Sequence, residues 1–236
     1  MEIPFESLGV ADVKPASLQW LQHQWGSVAK HVWKGNRCYW EGGGCCLLHN
    51  KACSVPAVRP DLAVAGLPCT PCSKLRQKTG NTAGTSAPAQ HPAFSIIFED
   101  WFSYLKFRRP RGFIVEEVET FATAVDGQGV SFLARFCKMC AKLGYEVRVL
   151  KCDHGIWVEI SRVRVWIVGF GPELGGKDAA DSFTVLAREV SAYRRLTPPT
   201  KVWDIVDPDG VQESSRRKLK EHLKWITEYA CQRKKT

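Results

Sequence analysis

Residues 61–77, DLAVAGLPCTPCSKLRQ, place Cys69 and Cys72 behind an apolar run and a proline and ahead of a cationic tail. Four readings fit this pattern. The Cys-x-x-Cys spacing suits half of a structural zinc site, with Cys45, Cys46 and Cys53 as a further source of ligands. Against this, Cys45 and Cys46 are adjacent where a zinc knuckle carries a second spaced pair. A redox pair would open a helix that lowers a thiol pKa, whereas Gly, Thr and Ser follow here. Two unreactive loop thiols need no partner. The last reading is nucleophilic: Lys74, Arg76 and Lys78 create a positive field that favours a thiolate and also holds phosphates. Two other charged clusters follow, with Glu116 and Glu117 closing the run GFIVEEV and Arg162 and Arg164 opening VRVWIVGF.

The surrounding periodicity supplies elements that bring these groups together. DLAVAG at 61–66 reads as a short strand buried on both faces, ending at Gly66 and Pro68. Residues 70–91 are a polar loop. From Pro92 onward, Phe94, Ile97, Phe98, Trp101, Phe102 and Leu105 fall on one helical stripe, which ends in the basic turn Arg108, Arg109, Pro110, Arg111, Gly112. GFIVEEV is a second buried strand. A helix over 130–143 with Gly144 as its stop leads to the strand YEVRVL at 145–150. The link from there to VRVWIVGF at 163–170 is too short for a helical crossover, so these two strands are expected to be antiparallel neighbours. In a mostly parallel sheet adjacent strand ends share an edge where ligands bind. Cys69, Glu116, Arg162 and Arg164 are therefore expected on one rim. Residues 17–33 read as a helix, 35–60 as irregular, and 179–194 and 213–232 as helices of a C-terminal appendage. There is no internal repeat.

GLPCTPCS at 66–73, RPRGFIVEEV at 109–118 and SRVRVWIVG at 161–169 resemble, in order and at similar separations, three motifs of the cytosine-5 DNA methyltransferases. These are Gly-x-Pro-Cys after a buried strand, Arg-Pro…Glu-Asn-Val, and Gln-x-Arg-x-Arg leading into a strand. The resemblance covers roughly residues 5–170 and implies an α/β, Rossmann-like S-adenosylmethionine-dependent methyltransferase sheet. That sheet is mostly parallel, with a final antiparallel strand pair, and incomplete at its N-terminus. It implies a catalytic core over 1–170 and a target-recognition-like or helical appendage over 171–236. By the same resemblance Cys69 adds to carbon 6 of a flipped cytosine, and Pro68 fixes the turn that presents it. Glu116 holds the base, and Arg164 and Arg162 contact the base carbonyl. Asp12 and Pro68 are the expected cofactor contacts, Asp12 at the ribose. Ser73, Lys74, Arg76 and Lys78 are expected at the phosphates, with the 74–91 loop closing over the base. No metal is implied.

The sequence departs from the family pattern in four places. Glu117 stands for Asn, and Ile160 for Gln. The Gly-rich cofactor turn, Phe-x-Gly-x-Gly-Gly, has no counterpart after an N-terminal strand, MEIPFESLG resembling the helix that follows it. No Gly-Asn-x-Val closing segment follows Gly169. The chain is thus expected to be a methyltransferase core lacking both ends, whether by gene prediction, by fragmentation, or because a missing N-terminal segment or a partner chain supplies the rest. The alternatives are an inactive nucleic-acid-binding module and a tRNA cytosine-5 methyltransferase.

Composition agrees with a polyanionic partner, DNA or RNA. The 236 residues carry a net charge of +9 and a pI near 9.1, and Arg108, Arg109 and Arg111 are expected to flank the rim beside the loop cations. Ten cysteines without an export signal read as thiols rather than disulfides. Neither a signal peptide nor an apolar run of membrane-spanning length is present. The expected compartment is intracellular, and nuclear in a eukaryote.

Overall fold

Alternating short strands and amphipathic helices build two sheets. The computed structural model describes residues 5–35, 37–69, 71, 93–123, 129–153 and 162–192. The first sheet has the order β1–β2–β3–β4: β1 (Val10–Asp12) runs parallel to β2 (Val32–Lys34), and β3 (Gly43–Cys46) and β4 (Lys51–Ser54) form an antiparallel hairpin beside β2. The second has the order β5–β6–β8–β7, from β5 (Leu62–Gly66), β6 (Gly112–Val118), β8 (Val163–Phe170) and β7 (Glu146–Asp153). β5 and β6 are parallel. β8 lies between β6 and β7 and is antiparallel to both, so β5, β6 and β7 share one direction. The α/β class and the closing antiparallel pair are as expected; the division into two sheets is not.

Three expectations in the N-terminal third are corrected. Helix α1 (Pro15–Trp25) stops well short of residue 33, and Val32 lies in β2 with no exposure. A β-branched residue between two aromatic rings, His31-Val32-Trp33, suits a strand, where Trp33 is also fully buried. The segment at 35–60 holds the β3–β4 hairpin rather than irregular chain. Its strands, GGCC and KACS, have little intrinsic strand preference, and pairing across Gly43↔Ser54 to Cys46↔Lys51 organises them. MEIPFESLG is not helical over its described part. Ser7 bridges Ala29 in parallel, and Gly9 lies so close to Trp33 that a Cβ would fall 2.5 Å from its ring.

The main core fills one face of the second sheet. A π-helical turn, Ile96–Asp100, runs directly into α2 (Trp101–Arg108), and the expected stripe of Phe94, Ile97, Phe98, Trp101, Phe102 and Leu105 is buried throughout. Short α3 (Thr120–Thr123) and α4 (Phe132–Lys142) add Phe121, Phe132 and Phe136. Phe136 meets Phe98, Phe102 and Phe121 edge to face at 5.0–6.3 Å, a geometry that suits aromatic quadrupoles. Ser131 caps α4 by accepting from the Ala134 N–H at 3.1 Å, and Gly144 ends it at φ +85°. On β8, Gly169 leaves room for the Phe113 ring, which a Cβ would meet at 2.1 Å.

Helix α5 (Gly176–Ala192) returns to the second sheet. Asp181 receives Arg148 of β7, and Phe183 packs on Phe170 of β8 at 5.5 Å. β5 differs from the doubly buried strand expected, because Ala63 is buried while Leu62 and Val64 are exposed. As the edge strand of its sheet, it has one face that no described element covers. No described helix is long and apolar enough to cross a membrane.

Candidate active site

The parallel register pairs Gly66 with Glu116, so β5 releases its loop beside the carboxylate that β6 carries. Leu67 buries itself and anchors that loop, Pro68 is half-buried, and Cys69 emerges as an exposed free thiol. A Cβ at Gly66 would stand 3.7 Å from Glu116 Oε2, in ordinary contact, so the glycine lies directly beside that carboxylate.

β8 enters the same edge from the opposite direction. Its register places Trp166 against Glu116 and Arg164 against Val118, so Arg164 and Glu116 are diagonal neighbours on one face. Arg164 Nε donates to Glu116 Oε1 at 2.5 Å, and the Arg164 NH1 group donates to the Val163 carbonyl at 2.9 Å. Arg162 approaches the same carboxylate at 3.9 Å with its side chain largely in solvent. Its backbone N–H donates to Asp153 at the end of β7. Glu116, Arg162 and Arg164 thus meet at the edge from which the Cys69 loop departs.

Strand alternation sends Glu117 to the other face. It lies against the aromatic core at 1% exposure, with Oε2 accepting from the Val118 N–H at 3.1 Å and Oε1 buried without a hydrogen-bond partner. Burial pushes its carboxyl up to about 8; the Glu116 charge adds to this, while the Val118 N–H and Arg164 oppose it. The second carboxylate of the pair is therefore a neutral acid inside the core at neutral pH. The adjacency of two glutamates in a strand carries this information only once one face is known to be buried.

Asp12 sits at the C-terminal end of β1, half-buried, and its Oδ1 accepts from the Lys14 N–H at 2.8 Å. It lies in the first sheet, apart from the Glu116 edge. Ser73, Lys74, Arg76 and Lys78 lie outside the described residues, as do Cys72 and Ile160.

The arginines of the RPRG turn do not flank this rim. They precede β6, at the end opposite Glu116, and several are committed to backbone carbonyls. Arg108 donates to the carbonyls of Pro56 and Val58 at 2.6 and 2.8 Å, and Arg109 to that of Leu143 at 2.8 Å. Arg111 pairs with Asp61 at 3.3 Å. Arg109 also closes α2 in the left-handed region at φ +47°, and Tyr145 donates to the Pro110 carbonyl at 2.7 Å. Their spacing resembles a basic patch; their contacts are those of a brace between the sheets.

The family model for C-5 cytosine-specific DNA methylase matches residues 9–235. The chain belongs to that family. Among curated proteins, the type II methyltransferase M.BsuFI of Bacillus subtilis is 31% identical over 119 residues, 50% of this chain and 26% of that protein. Among solved structures, S. pombe Dnmt2 methyltransferase aligns at a TM-score of 0.42 and 16% identity, covering 72% of this chain and 44% of its own. The Entamoeba histolytica methyltransferase EhMeth aligns at a TM-score of 0.42 and 11% identity, covering 68% of this chain and 43% of its own. The chain spans about a quarter of the curated relative and under half of these structures. Cys69, Glu116, Arg162 and Arg164 all fall inside the residues that the family model matches.

Proposed function

We propose that these residues form the base-binding and nucleophile-bearing edge of a DNA cytosine-5 methyltransferase. The observation that carries this reading is the Gly66↔Glu116 register, which brings the Cys69 loop to the carboxylate that Arg164 engages. Carbon 5 of cytosine is a weak nucleophile, and covalent addition at carbon 6 converts the ring into an enamine. The Cys69 thiolate forms the C–S bond to carbon 6. Glu116 accepts from the exocyclic amine and stabilises a proton at ring nitrogen 3, favouring the polarised ring. Arg164, held by Glu116, donates toward the base carbonyl, and Arg162 supports it. Once carbon 5 is methylated, loss of its proton and expulsion of the Cys69 thiolate restore the aromatic ring. Because carbon 6 is hidden in a duplex, the base is read out of the stack, with Ser73, Lys74, Arg76 and Lys78 tracking the backbone phosphates.

S-adenosylmethionine supplies the methyl group. The acceptor chemistry of Asp12 fits it, since a carboxylate at the C-terminal end of a parallel strand is where such sheets accept from a ribose diol. Pro68 borders the same loop as the nucleophile.

The test is a mechanism trap. The protein, supplied with S-adenosylmethionine and with any family segment outside these 236 residues, is expected to form a denaturant-resistant adduct with DNA containing 5-fluorocytosine, because fluorine blocks the elimination that frees Cys69. Cys69→Ser abolishes the adduct and Cys72→Ser leaves it. Trapping on RNA but not DNA would reassign the substrate. DNA binding without an adduct would identify an inactive module.

A further inference from the structure

The first sheet carries a cluster that methyl transfer does not use. His31 leads into β2, Cys46 ends β3, His49 sits in the β3–β4 turn and Cys53 lies within β4. Each offers one ligand atom, and the four atoms lie within 4.8 Å of one another. His49 Nδ1 is 3.3 Å from Cys53 Sγ, and the Cys46 and Cys53 sulfurs lie within 4.8 Å of each other. The His31 and His49 rings meet edge to face at 5.2 Å. His31 Nδ1 is buried and has no hydrogen-bond partner. Two thiols and two imidazoles pointed at one another satisfy few of their own polar groups, which is the arrangement a cation resolves.

The backbone holds this geometry from several directions. The His31 carbonyl accepts from the Val10 N–H at 2.9 Å and the Val32 carbonyl from the Leu47 N–H at 2.8 Å, fixing β2 between β1 and β3. The hairpin register sets Cys46 against Lys51 and Cys53 against Gly44, and Asn50 takes φ +49° to close the turn that carries His49. The His31 ring stacks on Trp33 at 4.7 Å, and Cys46 has no exposure at all.

We infer that His31, Cys46, His49 and Cys53 form a structural zinc site. Thiolate and imidazole donors with no carboxylate are the set that tetrahedral zinc prefers, and four protein ligands leave no open position for a substrate or water. Zn–S bonds of about 2.3 Å and Zn–N bonds of about 2.0–2.1 Å set ligand separations of roughly 3.3–3.8 Å. The observed 4.8 Å spread closes to this with about an ångström of side-chain movement, and His49 is exposed on a turn and free to supply it. In sequence the set reads His31, then Cys46-x-x-His49-x-x-x-Cys53, which two cysteine pairs sought among themselves would not reveal. The ion would clamp the β3–β4 hairpin to β2. That layer meets α2 through Tyr39 against Tyr104 at 5.5 Å, and the π-helical turn before it through Arg37 to Asp100 at 3.4 Å.

The test does not involve methylation. The full chain, purified under reducing conditions, is analysed for metal by atomic emission and then titrated with cobalt(II). One zinc per chain and the visible bands of tetrahedral cobalt with a thiolate charge-transfer band are expected. His49→Ala, at an exposed position, and Cys53→Ser weaken cobalt binding by at least about a hundredfold, with far-ultraviolet circular dichroism confirming the fold. Cys45→Ser and the double variant Cys69→Ser/Cys72→Ser retain it. A metal-free chain that gives only octahedral cobalt spectra would overturn the inference. So would loss of the metal in Cys69→Ser/Cys72→Ser, which would move the ion to the nucleophile loop.

Discussion

Arg164 Nε donates to Glu116 Oε1 at 2.5 Å, tying β8 to β6 at the edge where the Cys69 loop leaves β5. Both side chains are largely buried, at 17% and 26% exposure, whereas Arg162, 3.9 Å from the same carboxylate, is 57% exposed. A charged hydrogen bond removed from water contributes more than a solvated ion pair. In a double-mutant cycle of Glu116→Gln and Arg164→Met, urea unfolding is expected to return a coupling energy of about 1–3 kcal/mol. Arg162→Met should cost no more than about 0.5 kcal/mol. Additive single variants would mean that the pair is held by its surroundings and contributes no stability of its own.

Glu117 gives the fold a pH dependence. Its carboxyl ionises near the ordinary 4.5 when unfolded and near 8 when folded. Between these values the folded chain holds one proton more than the unfolded chain, so stability falls as pH rises. The contribution is complete below the unfolded value and lost through the folded one. Glu117→Gln removes the ionisation while keeping the shape. Its stability relative to the parent should therefore rise between about pH 5 and pH 8 by on the order of a few kcal/mol. Urea unfolding across that range measures it, and parallel pH profiles would place the titration elsewhere.

The cations that follow Cys69 in sequence and the arginines that precede β6 should behave differently. DNA affinity is expected to fall with salt at a log–log slope of about −0.9 per neutralised phosphate. Neutralising Lys74, Arg76 and Lys78 should make that slope shallower by up to about three such increments. Arg108→Met should leave it unchanged. Instead it removes donors to the Pro56 and Val58 carbonyls and should lower stability by about 1–3 kcal/mol. Filter binding at several salt concentrations, paired with thermal unfolding, separates the two. A shallower slope in Arg108→Met would return that arginine to the DNA-binding surface.

Much of the second sheet was legible in the sequence because its signals are local. GFIVEEV and VRVWIVGF coincide with β6 and β8 residue for residue, since a run of β-branched and aromatic residues between turn formers has few other uses. The six-residue aromatic stripe of 94–105 is buried as its spacing requires, and the short link before β8 correctly implied an antiparallel neighbour. The same strand order let Cys69, Glu116, Arg162 and Arg164 be assigned to one edge, because parallel strands end where an antiparallel neighbour begins.

What the sequence left undecided depends on contacts between distant segments. β3 and β4 are made of glycine, cysteine, alanine, lysine and serine, and only their pairing beside β2 makes them strands. Whether Glu116 or Glu117 faces the core is a choice of register, and a one-residue shift would exchange their environments. Arg108 and Arg109 look solvated in one dimension and are braces in three, because their carbonyl acceptors come from residues 56, 58 and 143. His31 and Cys53 stand 22 positions apart in the chain, and their meeting with Cys46 and His49 is decided by the docking of the β3–β4 hairpin against β2. Composition and periodicity determine which elements form; side-chain proximity across them is set by tertiary packing, since a ligand set or an ion pair has no period.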